Sequence, residues 1–413
     1  MEQYNEDELV PPSWLDRDFI EMVLRKYKSN NTIVIENLKI SPGTEKGDHF
    51  ASIMFRVVAT YKSPSITSES ISMILKTIPE EEGFKKEVLD QMLYFETEIG
   101  MYAEEIPKLE NVLRNNGDNV QFGSKILYHS LEPHKVIVFE DLVALGYTCI
   151  RDRYLNADEV KLCLSKIAKW HAASYKLLTT EGDISAKKYK EGLLSRPKNE
   201  QPEFITEGFK LLIEAISKIE EFEKYNERLR NIEPSLISKC NDIFNGNMSD
   251  GNCLIMVLNH GDLHNRNVMF KFDENNKVED VMLVDMQISC YGPAVIDIFC
   301  SIQMLFDADL RQNHRDQMIR YYFSIFIDTL RNVKYTGKLP TLEDLYSDMI
   351  KCKEFELWLA VTLVPLICAI MSKGGNVQTE DLISSKEAQI QMYLNPDFIA
   401  ELRGMLPTYF CEG

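Results

Sequence analysis

The rhythm of apolar and polar positions changes along this chain. Thr32–Ile40 and Phe50–Tyr61 read as strands, and in the second Ile53, Phe55, Val57, Ala59 and Tyr61 alternate on one face, the two-residue period of a half-buried strand. Between them Ser41 to His49 forms a glycine-containing turn, and Ser70–Ile78 is a third strand carrying Lys76 among apolar neighbours. From Glu82 to Glu105 the period lengthens. Phe84, Val88, Met92, Phe95, Ile99 and Tyr102 recur at steps of four or three, the apolar stripe of a helix. Glu98 borders that stripe, three residues after Phe95 and four before Tyr102. Val136–Phe139 is a further strand that ends at Glu140-Asp141-Leu142.

Beyond that point the pattern is mostly helical. Asn156, with Glu159 three residues on, has the form of a capping box. The helix it starts shows Val160, Leu164, Ile167 and His171 on one face and ends near Leu178. A polar, helix-prone stretch at about 180–245 reads as an insertion, and after Asp297 helical patterns continue almost to the end. One hairpin interrupts them: Asn267–Phe272, a turn at Asp273–Lys277, and a return strand Val278–Val284.

That hairpin brings chemistry together. A turn centred near Asn276 pairs positions whose numbers sum to about 552, which would set Asn267 opposite Asp285. An amide oxygen and a carboxylate make a hard half-site of the kind Mg²⁺ favours, its shell completed by water and substrate phosphates. Asp262 lies five residues before Asn267 in His260-Gly261-Asp262-Leu263-His264-Asn265-Arg266-Asn267. It stands near that half-site without having to be a ligand, where a base must be to take a proton from an attacking hydroxyl. The order of Asp262, Asn267 and Asp285 matches phosphoryl-transfer chemistry with ATP and Mg²⁺. Lys76 would neutralise nucleotide phosphates and Glu98 would hold that lysine in place.

Charge and cysteines narrow the partners. A net charge of −18 makes nucleic acid and anionic membrane poor partners, and nothing in the pattern demands an obligate protein partner. The nine cysteines are scattered with no CxxC pair, so they read as buried thiols in a reducing, cytoplasmic setting rather than a zinc framework. The acidic N-terminus has no apolar core to serve as a signal peptide. The apolar run Leu357–Met371 is short and carries Pro365, so it reads as a buried helix.

The chain resembles the insect ecdysteroid kinase-like family, also called the CHK kinase-like group, which is similar to choline and aminoglycoside kinases. The resemblance spans nearly the whole chain, from Pro12-Ser13-Trp14-Leu15 onward. It passes through Gly47-Asp48-His49-Phe50, Ile74-Leu75-Lys76-Thr77, Phe139-Glu140-Asp141-Leu142 and Trp170-His171-Ala172-Ala173-Ser174. It continues through His260-Gly261-Asp262-Leu263 and Tyr291-Gly292-Pro293-Ala294 ahead of Asp297. It implies an α+β, protein-kinase-like bilobal fold: a small β-rich N-lobe with hinge at 1–142 and a large, mostly helical C-lobe at 143–413. It also implies a loop from Gly43 to Ser52, including Gly47, that covers ATP, and main chain at Glu140–Leu142 that receives the adenine edge. Asp262 is then the catalytic aspartate, Asn267 and Asp285 hold Mg²⁺, and Asp297 braces the catalytic loop. His264 and Met286 stand where the family often has tryptophan and phenylalanine, changes expected to alter only packing beside the metal ligands.

The function expected is transfer of the γ-phosphoryl group of ATP to an alcohol such as an ecdysteroid or another apolar compound. A catalytically silent relative that binds a ligand or partner is the alternative, and such a protein would be expected to have lost part of the set Lys76, Glu98, Asp262, Asn267 and Asp285. The sequence does not single out the acceptor. Trp170, Phe209 and Tyr291 are as readily core as pocket wall.

Overall fold

The computed structural model describes residues 9–43, 52–81, 86, 92–248, 251, 253–374, 377 and 379–410. The chain divides into two compact units. The first takes residues up to Pro107 together with Gly123–Thr148, and the second takes Lys108–Phe122 and everything from Cys149.

The first unit begins with helix α1 (Arg17–Tyr27), capped by Asp16, whose carboxylate accepts the Phe19 N–H at 2.9 Å. Strands β1 (Val34–Pro42), β2 (Ile53–Ser63) and β3 (Ile66–Thr77) follow. Helix α2 (Tyr94–Gly100) runs through a π turn (Met101–Glu105) into α3 (Ile106–Arg114), and β4 (Ile126–Ser130) and β5 (Val136–Glu140) complete the sheet. Its order is β1-β2-β3-β5-β4, antiparallel throughout. The alternating face read from the sequence is the buried one. Ile53, Phe55, Val57, Ala59 and Tyr61 share one core with Ile20, Val23 and Leu24 of α1.

The helix expected over 82–105 differs in two ways. Most of residues 82–91 lie outside the described residues, the exception, Lys86, being helical, and after non-helical Met92 and Leu93 the helix that carries Glu98 begins at Tyr94. It also continues past Glu105 to Arg114. Pro107 has no N–H to give to the preceding turn, and the π turn lies directly before it.

In the second unit, α4 (Ala157–Thr179) starts with both bonds of the expected capping box: Asn156 Oδ1 accepts the Glu159 N–H at 3.0 Å, and Glu159 accepts the Asn156 N–H at 2.8 Å. The insertion holds α5 (Glu203–Ile216) and α6 (Glu223–Asn245). Strands β6 (Met256–Asn259), β7 (Val268–Phe272), β8 (Val278–Leu283) and β9 (Cys290–Pro293) come next, with β6 antiparallel to β9 and β7 antiparallel to β8. Then follow α7 (Val295–Met304), α8 (Ala308–Asn313), α9 (Arg315–Asn332) and α10 (Leu342–Lys351). The remaining helices are α11 (Lys353–Thr362), α12 (Val364–Met371), α13 (Thr379–Ile383), α14 (Lys386–Tyr393) and α15 (Pro396–Tyr409). Lys353–Met371 is long and apolar enough to cross a membrane by composition, yet it is mostly buried in this unit, as a core helix is.

The units do not part at one point in the sequence, as a single boundary after residue 142 would have them do. Residues 108–122 belong with the helical unit because their end is pinned there. Lys166 Nζ donates to Gln121 O at 2.8 Å, the Leu283 N–H donates to Phe122 O at 2.9 Å, and the Phe122 ring packs edge-on to Trp170.

Candidate active site

The segment after β6 is positioned by α4. The Trp170 indole N–H donates to Leu258 O at 2.8 Å, and the Leu258 N–H reaches Ser174 Oγ at 3.2 Å. The chain then turns through His260-Gly261-Asp262. Gly261 has φ +86°, and a Cβ there would stand 2.3 Å from Ile288 O. The left-handed conformation disfavours a side chain, and the close approach to a main-chain oxygen excludes one.

Asp297, in the first turn of α7, fastens this turn. Its Oδ2 accepts the His260 N–H at 2.7 Å and its Oδ1 the Gly261 N–H at 2.9 Å, so it braces the loop as the sequence suggested. Behind it, His171 Nε2 lies 3.0 Å from Oδ2, and His171 Nδ1 lies 2.6 Å from Tyr322 Oη. Burial pushes the Asp297 carboxyl up, but the His171 hydrogen bond and charge, with His260 and the Gly261 N–H, outweigh it and hold it below the ordinary range.

His260 links two parts of the site. Its Nδ1 accepts the Asp262 N–H at 3.2 Å, so the proton sits on Nε2, which donates to Val284 O at 3.0 Å. Asp262 is gripped by Asn267, whose Nδ2 donates at 3.0 Å both to Asp262 O and to Asp262 Oδ2. Desolvation raises the Asp262 carboxyl pKa, but the His264 imidazole, His260 and the Asn267 amide together hold it below its ordinary value. The side chain remains 26% exposed, so an incoming hydroxyl can reach it.

The hairpin register is one residue tighter than expected. Val268 pairs with Leu283, and the Val284 N–H donates to Asn267 O at 3.0 Å, so Asn267 stands opposite Val284 rather than Asp285. The turn explains the shift: Asp273 accepts three N–H groups across it, from Asn275 and Lys277 on its side chain and Asn276 on its carbonyl, with Asn276 at φ +58°. A register slip between Lys271 and Phe272 follows. Asp285 comes one residue later and adopts φ +67°, which ends the alternation of the strand at that point. With its amide nitrogen committed to Asp262, the donor Asn267 could offer a cation is its carbonyl oxygen. Among the described residues no group of three or more His, Cys, Asp or Glu side chains could hold a metal. A carboxylate and an amide oxygen are hard donors of the kind Mg²⁺ takes.

In the first unit, Lys76 Nζ on β3 donates to Glu98 Oε2 on α2 at 2.6 Å, with both side chains buried. Ser52 is buried just before β2, and Gly47 lies outside the described residues. The Glu140 N–H donates to Lys125 O, and its carbonyl accepts from Ser124 Oγ at 2.9 Å. The Leu142 carbonyl accepts the N–H groups of Leu145 and Tyr147.

Sequence reasoning missed two supports. Asp141 accepts from Arg56 Nε, Ser72 Oγ and the Val143 N–H at 2.8, 2.7 and 3.1 Å, tying the turn after β5 to β2 and β3. Tyr322 had no local signal at all, since its role depends on α9 packing against α4. Trp170 and Phe209 are core residues. His264 does more than fill space: its Nδ1 accepts the Arg266 N–H at 3.2 Å and its Nε2 lies 3.5 Å from Asp262 Oδ2.

The model of the ecdysteroid kinase-like family matches residues 46–335. The chain belongs to that family. A solved structure, the GDP complex of wild-type aminoglycoside 2′-phosphotransferase-IIIa, is similar at 12% identity with a TM-score of 0.39, over 92% of this chain and 99% of that one. No curated protein matches the sequence. Membership in the ecdysteroid kinase-like family, with a β-rich unit carrying the Lys76–Glu98 pair and a helical unit carrying the aspartate loop, bears out the α+β, protein-kinase-like fold class. Within this ecdysteroid kinase-like chain, Met286 is fully buried beside Asp285, whereas His264 Nε2 stands against the Asp262 carboxylate itself.

Proposed function

We propose that the chain is a small-molecule kinase that transfers the γ-phosphoryl group of ATP to an alcohol hydroxyl. The observation that carries this reading is the double hydrogen bond from Asn267 to Asp262. It fixes an anionic carboxylate, partly open to solvent, five residues before a hard oxygen donor. As the acceptor oxygen bonds to the γ-phosphorus and ADP leaves, Asp262 takes the hydroxyl proton. Lys76, held by Glu98, is assigned to nucleotide phosphate. The Glu140 carbonyl and Leu142 amide are assigned to the adenine edge, and the Gly47–Ser52 stretch to the phosphate cover. Asn267 and Asp285 would hold Mg²⁺, which neutralises phosphate charge when bound.

The acceptor to try first is an ecdysteroid, followed by other apolar alcohols. The described cysteines are all free thiols, which supports a reducing, cytoplasmic setting as part of the proposal. The test is phosphate transfer from labelled ATP with Mg²⁺ to such a panel, using purified protein. Asp262→Ala should lower turnover by about 10²–10⁴-fold. No transfer to any acceptor would leave the silent ligand-binding alternative in its place, whereas near-normal turnover in that variant would remove Asp262 from the role of base.

A further inference from the structure

The helical unit contains a cavity of about 440 Å³ that none of the residues assigned to the Asp262 site lines. Its walls come from α7, the α8–α9 junction, α11, α12 and α15. Ile302, Leu357, Ala360, Val364, Phe398 and Met405 make them largely apolar. The size falls within the range of small-molecule sites, roughly 300–1,000 Å³.

The charges on its walls are already satisfied. Arg311, 8% exposed, donates to Glu401 through Nη2 at 2.5 Å and Nε at 3.2 Å, and through Nη1 to the carbonyls of Gln303 and Phe306. Both terminal nitrogens of Arg315 bond to Glu356, which also accepts from Gln303 Nε2 at 2.9 Å. Asp316 accepts from Arg320 and Tyr346. A phosphate or carboxylate entering here would have to displace a carboxylate from a guanidinium, and a cation would have to displace an arginine. The groups left to meet a ligand are neutral: the amide of exposed Gln312, the Tyr409 hydroxyl, and the Thr408 hydroxyl as an acceptor, its proton being donated to Gly404 O at 3.0 Å. Gly404 keeps this wall low, since a Cβ there would come 3.0 Å from Gln312 Nε2.

We propose that this cavity binds a neutral, mainly apolar small molecule bearing hydroxyl groups, at a site separate from the Asp262 loop. The two ends of α7 serve different purposes: Asp297 in its first turn braces the loop, while Ile302 and Gln303, about 7.5–9 Å further along the axis at 1.5 Å per residue, line the cavity. The inference does not depend on the kinase reading.

The test is equilibrium dialysis of the full chain, without nucleotide, against bisphenol A and its anionic monosulfate. Saturable, one-site binding of bisphenol A is expected, with the monosulfate about tenfold weaker or worse. Ala360→Phe, which fills the cavity, and Thr408→Trp, which closes its exposed rim, should each weaken bisphenol A binding about tenfold or more. Asp262→Asn should leave it unchanged. Thr408 is on the surface, so its variant keeps the test decisive if Ala360→Phe does not fold. Absence of saturable binding, equal binding of the monosulfate, full binding by the Thr408 variant, or loss of binding in Asp262→Asn would each overturn the proposal.

Discussion

His171 Nε2 stands 3.0 Å from Asp297 Oδ2, with both side chains fully buried. Tyr322 satisfies the other ring nitrogen and Asp297 passes the constraint to the His260 and Gly261 amides, so a tyrosine on α9 helps to place the loop that carries Asp262. Tyr322→Phe leaves His171 Nδ1 buried without that hydroxyl and should destabilise the fold by about 1–3 kcal/mol. Asp297→Asn sets an amide where carboxylate oxygens accept two backbone N–H groups, and should reduce turnover more than Tyr322→Phe does. Urea denaturation and turnover on both variants check this. A fully stable, fully active Asp297→Asn protein would show that the loop holds its shape unaided.

The Lys76–Glu98 pair is buried, so breaking it from one side leaves a charge in a desolvated site without its 2.6 Å partner. Lys76→Met alone and Glu98→Leu alone should each cost about 3–5 kcal/mol. The double variant should recover most of that stability, because neither charge is left behind, yet stay inactive if the lysine serves the nucleotide. Thermal denaturation of the three variants with a turnover assay separates the two roles. Activity in a stable double variant would remove the lysine from catalysis.

Gly261→Ala should be among the most damaging single-methyl additions in the chain. The left-handed backbone alone costs about 1–2 kcal/mol, and the methyl would also meet a main-chain oxygen that cannot move without shifting Ile288. A melting temperature and activity close to those of the natural protein would contradict the geometry.

The acid side of the pH–rate profile tests Asp262. A base works when deprotonated, and this carboxyl is held below its ordinary value of 3.8, so its protonation should reduce the rate only below that pH. The same depression contributes stability above the unfolded-state pKa that fades as pH falls through the folded-state pKa. The His264 imidazole is the largest of the lowering influences, working against the opposing desolvation. His264→Leu should therefore raise the Asp262 pKa and move the acid limb to higher pH. An unmoved limb would detach the imidazole from the base.

Asp285→Asn keeps the shape of the proposed metal ligand and removes its charge. It should raise the Mg²⁺ concentration needed for half-maximal turnover, with Asn267→Ala acting in the same direction and also loosening Asp262. A titration of rate against Mg²⁺ that matches the unaltered protein would remove Asp285 from the metal site.

The sequence by itself determined the elements and the order of the chemical groups. The period-two face of Ile53 to Tyr61, the Asn156 capping box, the lysine on β3, the glutamate on the next helix and the His-Gly-Asp turn are all local patterns, and local patterns follow from backbone periodicity and hydrogen-bond chemistry within a few residues. Register and support needed three dimensions. Whether Asn267 faces Val284 or Asp285 depended on a slip between Lys271 and Phe272 and on Asn276 entering the left-handed region, neither of which a count of positions reveals. Tyr322 behind His171, Arg56 and Ser72 on Asp141, and the return of residues 108–122 to the helical unit join residues far apart in the chain. Such contacts are decided by which surfaces pack together, and the tertiary structure alone states that.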